Sequence, residues 1–198
     1  MGKFFAKVYD PVMKPLEKRY INRWRERLLS NAKGKVLEIG AGTGINFPLY
    51  NKCEEVTAIE PNPHMVEKAK IRQAQAKVPV EIVQSHAEQL PFPENHFDSV
   101  VVTLVLCSVE DPVQVLQEIK RVLKPTGTLL VLEHIKMEQP VYAGLQDMLT
   151  PVWKHLADGC HLNRKTDILL KENGFEILSR KEYMSGFVVS VMAKNPVS

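Results

Sequence analysis

The chain has 198 residues, 44% of them apolar and 25% charged, which describes one folded α/β-sized domain rather than a disordered chain or two large domains. No run of 18 apolar residues is present to cross a membrane, and no apolar segment with a cleavage site marks a secretory signal. The net charge of +3 is too mild to point to nucleic acid.

Three cysteines, Cys53, Cys107 and Cys160, are odd in number and form no CxxC pair, so neither a disulfide framework nor a metal site is expected. A reducing, cytoplasmic setting is expected. Charge is uneven along the chain: residues 1–30 carry eight lysines and arginines against three acids. Either this is a solvated helix face, or an amphipathic helix making peripheral contact with anionic lipid or an acidic substrate.

In chain order, residues 12–30 read as a helix with Leu16, Tyr20, Trp24 and Leu28 on one face at four-residue steps. Lys35–Ile39 reads as a short buried strand running into Gly40-Ala41-Gly42-Thr43-Gly44. Val56–Ile59 is a second strand, ending at Glu60-Pro61-Asn62-Pro63, and Pro63 opens a helix over 63–76. Val80–Val83 is a third strand, and Phe97–Leu104 a fourth, apolar enough to be covered on both faces. Asp111 caps a helix that has Pro112 in its first turn and stops near Lys124-Pro125-Thr126-Gly127. Thr128–Glu133 is a fifth strand. Next come helical stretches at 141–157 and 164–173, then strands Phe175–Met184 and Phe187–Lys194 around Ser185-Gly186.

Alternating strands and helices predict a parallel sheet with helices on both faces, closed by an antiparallel hairpin. The expected fold is thus α/β and Rossmann-like, seven-stranded and mostly parallel. It is read as a single domain over 1–198, with a helical lid at 1–30, a cofactor core at 35–135 and a substrate-side insertion at 136–163. Oligomeric state is left open.

In such a sheet, ligands bind beyond the carboxyl ends of the strands at the switch in strand order. The glycine loop after the first strand allows a sharp turn and close approach of a ligand. Glu60, 20 residues after Gly40 and ending the second strand, can accept both hydrogen bonds of a ribose diol. The loop does not have dinucleotide spacing, because its third glycine comes after one residue instead of two.

Val36 to Gly44 resembles motif I of class I methyltransferases, and Ile59-Glu60-Pro61-Asn62 resembles their second motif. Ser85 to Phe92 with Phe97-Asp98 beyond it is similar to their adenine loop and fourth strand, and Arg121 to Thr128 to the turn before the fifth. The resemblance implies S-adenosyl-L-methionine as cofactor. It places Glu38, Gly40, Ala41, Gly42 and Gly44 at the methionine part, Glu60 on the ribose, Pro61 and Met65 against adenine, and His86 and Ala87 at the adenine edge. Many relatives have aspartate where His86 stands; a neutral imidazole can accept one hydrogen bond there. Thr103 and Leu104, ending the fourth strand, complete the cofactor set. Asn46 reads either as a partner of the cofactor carboxylate or as a polar helix start. Tyr9 reads either as part of a segment folding over the cofactor or as a core tyrosine.

Thr103 to Val109, Glu133-His134, Trp153 and Asp158-Gly159-Cys160-His161-Leu162-Asn163-Arg164 resemble the methyltransferase-like 7 family, membrane-associated thiol methyltransferases of animals. The expected reaction is methyl transfer to a small apolar acceptor, with thiols favoured; the alternatives are a lipid or quinone acceptor (a phospholipid amine or a phenol) and a non-enzymatic binding protein that keeps the cofactor fold. The basic N-terminal stretch differs from that family's apolar anchor. His134 reads either as the group that takes the acceptor's proton or as a structural histidine. Asp158 and His161 read either as catalytic groups on a loop over the site or as helix caps. Trp153 reads as core or as a substrate platform, Cys107 as packing, and Cys160 as packing or as a reactive thiol.

Overall fold

The computed structural model describes residues 20–157 and 159–195. Tyr9, Asp158 and the first part of the 12–30 helix lie outside the described residues. The elements are α1 (Asn22–Leu29), β1 (Lys35–Ile39), β2 (Glu55–Ile59), α2 (Pro63–Gln73), β3 (Val80–Val83), β4 (Phe97–Thr103), α3 (Pro112–Val122), β5 (Leu123–His134), α4 (Pro140–Leu156), α5 (Thr166–Glu172), β6 (Glu176–Tyr183) and β7 (Val188–Lys194).

One seven-stranded sheet has the order β3-β2-β1-β4-β5-β7-β6. The strands from β3 to β5 run parallel; β7 runs antiparallel to both β5 and β6. The predicted fold class is therefore the observed one, with a single reversed strand. Order switches between β1 and β4, so a crevice opens where Ile39, paired with Ile59 and Val102, runs into the glycine loop.

Successive residues of β4 bury opposite faces. Val100 and Val102 pack with Leu116, Ile119 and Val122 of α3, while Val101 packs with Trp24, Leu28 and Leu29 of α1. Each such buried side chain contributes roughly 1.5–3 kcal/mol from the area removed from water, which is why a strand covered on both faces reads as an unbroken apolar run. Asp111 caps α3 as expected, its Oδ1 accepting from Val113 and Gln114 N–H, both at 3.0 Å. A cap of this kind is worth about 1 kcal/mol.

Two boundaries differ by three residues or more, the others by one or two. β5 begins at Leu123, five residues before the predicted Thr128. The Lys124-Pro125-Thr126-Gly127 stretch is absorbed as an irregularity, since Phe97 pairs with Leu123 but Ser99 with Thr128. The helix predicted over 63–76 ends at Gln73.

Candidate active site

The carboxyl ends of β1, β2, β4 and β5 border a cleft of about 1070 Å³, large enough for a cofactor and an acceptor together. Its floor is the glycine loop. Gly40, Gly42 and Gly44 have φ of 68°, 56° and 76°, a region in which side-chain-bearing residues are strained. A Cβ on Gly42 would meet nothing within 4 Å, so the bare backbone faces open space. A Cβ on Gly40 would stand 2.5 Å from Val105 Cγ2, and one on Gly44 would stand 2.8 Å from the Phe47 ring. Gly44 does not line the cleft, so its assignment to the cofactor is corrected: this glycine lets the loop pack on Phe47 and Ala69.

Glu60 lines the cleft and is buried. Gly42 N–H donates to its Oε2 at 2.8 Å and Asn62 N–H to its Oε1 at 3.0 Å. These two backbone donors fix the direction in which the carboxylate points. Ala41, Pro61, Met65, His86 and Ala87 line the same end, with Met65 and Ala87 buried and His86 exposed at the rim.

Glu38 does not line the cleft. It points into a buried network: Asn46 Nδ2 donates to Glu38 Oε1 at 2.8 Å and Tyr50 OH to Oε2 at 2.9 Å. Burial pushes its carboxyl up to about 7, against the hydrogen bonds from Asn46 and Tyr50 and the charge of Arg25. Its assignment to the cofactor is corrected accordingly: it holds the loop from beneath. Asn46 lines the cleft, but its amide is spent on Glu38, on Thr103 Oγ1 at 3.1 Å, and on Arg25, whose Nη1 donates to Oδ1 at 3.0 Å.

Sequence reasoning missed Arg25. It lines the cleft, is only 4% exposed, and donates to Thr103 Oγ1 at 2.7 Å. The expectation of a solvated basic face fails at this residue, because it lies one position past Trp24 on the flank of the buried stripe. A buried guanidinium beside the glycine loop can meet a ligand carboxylate.

Leu104 turns the chain out of β4 with φ of 59°, a costly conformation for a side-chain-bearing residue. Buried Glu133 holds the next two residues, its Oε1 accepting from Val105 N–H at 2.6 Å and Leu106 N–H at 2.7 Å. Leu104 and Thr103 line the cleft.

At the far end, His134 closes β5 with 8% exposure and stacks on Phe187, ring centroids 5.6 Å apart. Its Nε2 lies 3.0 Å from Cys160 Sγ, which lies 3.8 Å from Cys107 Sγ. The Cys107 thiol, then the His134 ring, hold Cys160 well below the ordinary thiol range, while its hydrogen bond to Cys160 and its burial push Cys107 up. The Cys160 sulfur raises His134 against the opposing effect of burial.

Leu149, Trp153, Leu156, Leu162 and Phe187 form apolar walls. Trp153 is 43% exposed, so it is a wall of the cleft and not core. His161 does not line the cleft; its backbone N–H and Nδ1 meet the Cys107 carbonyl at 2.8 and 3.3 Å, tying two loops together. That structural bond replaces the catalytic reading. Cys107 and Cys160 stand 53 residues apart in the chain, beyond any local spacing rule, which is why their meeting was not foreseen.

Residues 37–131 match the methyltransferase domain family. Thiol S-methyltransferase TMT1B of Rattus norvegicus is 43% identical over 137 residues, covering 66% of this chain and 55% of that protein. The chain thus spans little more than half the length of that curated relative. Thiol S-methyltransferase TMT1A of Homo sapiens is 32% identical over 179 residues, covering 88% of this chain and 73% of that protein. A solved SAM-dependent methyltransferase from Aquifex aeolicus superposes with a TM-score of 0.64 at 22% identity, over 86% of this chain and 89% of its own, a likeness of fold.

Proposed function

The chain belongs to the class I S-adenosylmethionine-dependent methyltransferases, and from that premise we propose that it methylates a small apolar thiol. One observation carries the acceptor reading. The cleft continues from the glycine loop into an apolar chamber whose polar lining at the end of β5 is His134 and Cys160, with Cys107 behind them.

The bare backbone at Gly42 lets the methionine part of the cofactor approach. Glu60 accepts the ribose hydroxyls with the oxygens that Gly42 and Asn62 orient. Pro61 and Met65 lie along adenine, His86 and Ala87 at its edge. Arg25 answers the cofactor carboxylate. The cofactor supplies a methyl group on a sulfonium whose departure leaves a neutral thioether, so the protein's work is to orient the acceptor and exclude water. A thiol reacts as thiolate, and with an ordinary pKa near ~8.5 it needs only a modest shift. The polar groups at the end of β5 are placed to supply that shift, and Trp153, Leu156 and Phe187 to hold the apolar remainder.

A methyl-transfer assay over alkyl thiols, amines, phenols and lipids tests this. Thiols are expected to be methylated at the highest kcat/KM; turnover confined to amines or phenols overturns it.

A second reading has its own support. α4 exposes Val141, Leu145, Met148, Val152 and Leu156 at helical spacing, a stripe continuous with the cleft through Leu149 and Trp153. An exposed apolar face of this extent marks a contact surface, and a lipid or quinone acceptor would enter along it. Among the described residues no helix is long and apolar enough to cross a membrane, so contact through α4 would be peripheral. Vesicle co-sedimentation at low and high salt tests it; absence of binding at both removes it.

A further inference from the structure

We propose that Cys107, His134 and Cys160 form a binding site for a thiophilic divalent ion of the zinc class, seated at the acceptor end of the cleft. Their ligand atoms, two Sγ and an imidazole nitrogen, all lie within 4.8 Å of one another. Two thiolates bound at ~2.3 Å to a tetrahedral zinc stand about 3.8 Å apart, and the two sulfurs stand 3.8 Å apart here. A thiolate and an imidazole on one such ion stand about 3.5 Å apart. Nε2 and Cys160 Sγ are at 3.0 Å, so ion binding requires the imidazole to shift in its seat against Phe187.

The triad is not spent on holding the fold together. His134 Nδ1 is buried without a hydrogen-bond partner, and Nε2 meets Cys160. The scaffold around it is tied down independently: His161 N–H bonds the Cys107 carbonyl, Arg164 the Leu106 carbonyl, and Glu133 the Val105 and Leu106 N–H groups. Two sulfurs and an imidazole select a zinc-class ion over magnesium or calcium, which take oxygen ligands.

Three protein ligands leave a fourth position open, the arrangement of catalytic zinc sites, and all three side chains line the cleft. On the thiol reading above, that position takes the acceptor sulfur. The thiol binds as thiolate and releases its proton to solvent. Its sulfur then forms the new bond to the methyl carbon as the carbon–sulfonium bond breaks, the electron pair remaining on the cofactor sulfur. The neutral methyl thioether is a poor ligand and departs. The ion, rather than His134 acting as a base, then lowers the acceptor's pKa. This clause rests on the thiol reading; the ion site rests on its ligand set alone.

The test uses the full chain, stripped of metal and kept reduced, titrated with Co²⁺ and then Zn²⁺. One equivalent of Co²⁺ is expected to bind with thiolate-to-cobalt charge-transfer absorption, to be displaced by Zn²⁺, and to bind more than about tenfold more weakly in Cys107→Ser and Cys160→Ser. In the unsubstituted protein, Zn²⁺ is expected to protect the half-buried Cys160 from maleimide while leaving Cys53 reactive, a readout that does not depend on the variants folding. Labelling of Cys160 at a rate unchanged by Zn²⁺, or cobalt binding without thiolate absorption, overturns the site. Ion binding without methylation of any thiol leaves the site standing and sinks the thiol reading. Full thiol methylation by the stripped enzyme with no ion bound keeps the thiol reading and overturns the ion's part in the transfer.

Discussion

The two ends of the cleft are built differently. The cofactor end is made of short strands and the loops directly after them, with Glu60 clamped by the backbone of Gly42 and Asn62. The acceptor end is assembled from the turn after β4, the last residue of β5, one face of α4 and the loop around Cys160. The first kind of construction tolerates little change because the main chain itself forms the floor and aims Glu60. The second is held by side-chain contacts between distant segments, so it can vary in shape while the floor stays constant.

Substitutions at each end sharpen or break this contrast. The largest effect belongs to Glu60→Ala, which is expected to weaken binding of S-adenosylhomocysteine by about 100-fold or more in calorimetry, since hydrogen bonds to a charged group are worth about 1.5–3 kcal/mol each. A folded variant with unchanged affinity would end the ribose assignment.

Next comes the network beneath the loop. Glu38 has its carboxyl raised from 4.5 to about 7 in the folded chain. The folded state therefore holds this proton more tightly than the unfolded one. Its contribution to stability is fully present below pH 4.5 and is lost as pH rises to about 7, by up to about 3 kcal/mol. Urea unfolding across this range should show the loss, and Glu38→Gln should flatten it; an identical slope in the variant would place the proton elsewhere.

At the acceptor end, His134→Ala is expected to lower kcat by about tenfold or more while leaving affinity for S-adenosylhomocysteine nearly unchanged. Equal losses in both would mean the two ends are not separable. The smallest effect is that of Trp153→Ala. With 43% of its surface exposed, the indole should add little to stability, so KM for an apolar acceptor should rise several-fold with Tm almost unmoved, a change worth about 1 kcal/mol. A large fall in Tm would return Trp153 to the core.

The same contrast explains which features were legible in the sequence. The glycine loop and the Asp111 cap could be read because each depends on neighbours within a few residues, where spacing and geometry coincide. Arg25 was missed because its partner Thr103 lies 78 residues along the chain; Glu38 was misplaced because no spacing rule tells an acid turned down onto Asn46 and Tyr50 from one turned up to a ligand. The Cys107–Cys160 pair was invisible for the same reason. No local pattern marks two residues brought together by the turn after β4 and the loop after α4. The bulge at the start of β5 was missed because a proline–glycine turn signal carries no information about whether the partner strand accommodates it.

Gly40 and Val105 are where the two ends touch. The missing side chain at position 40 is what admits the valine, with less than a methyl group's clearance between them. Attempts to broaden acceptor scope by remodelling the turn after β4 will therefore press on the seat of the methyl donor, and a bulkier residue at 105 should be selected against even where the incoming nucleophile has room.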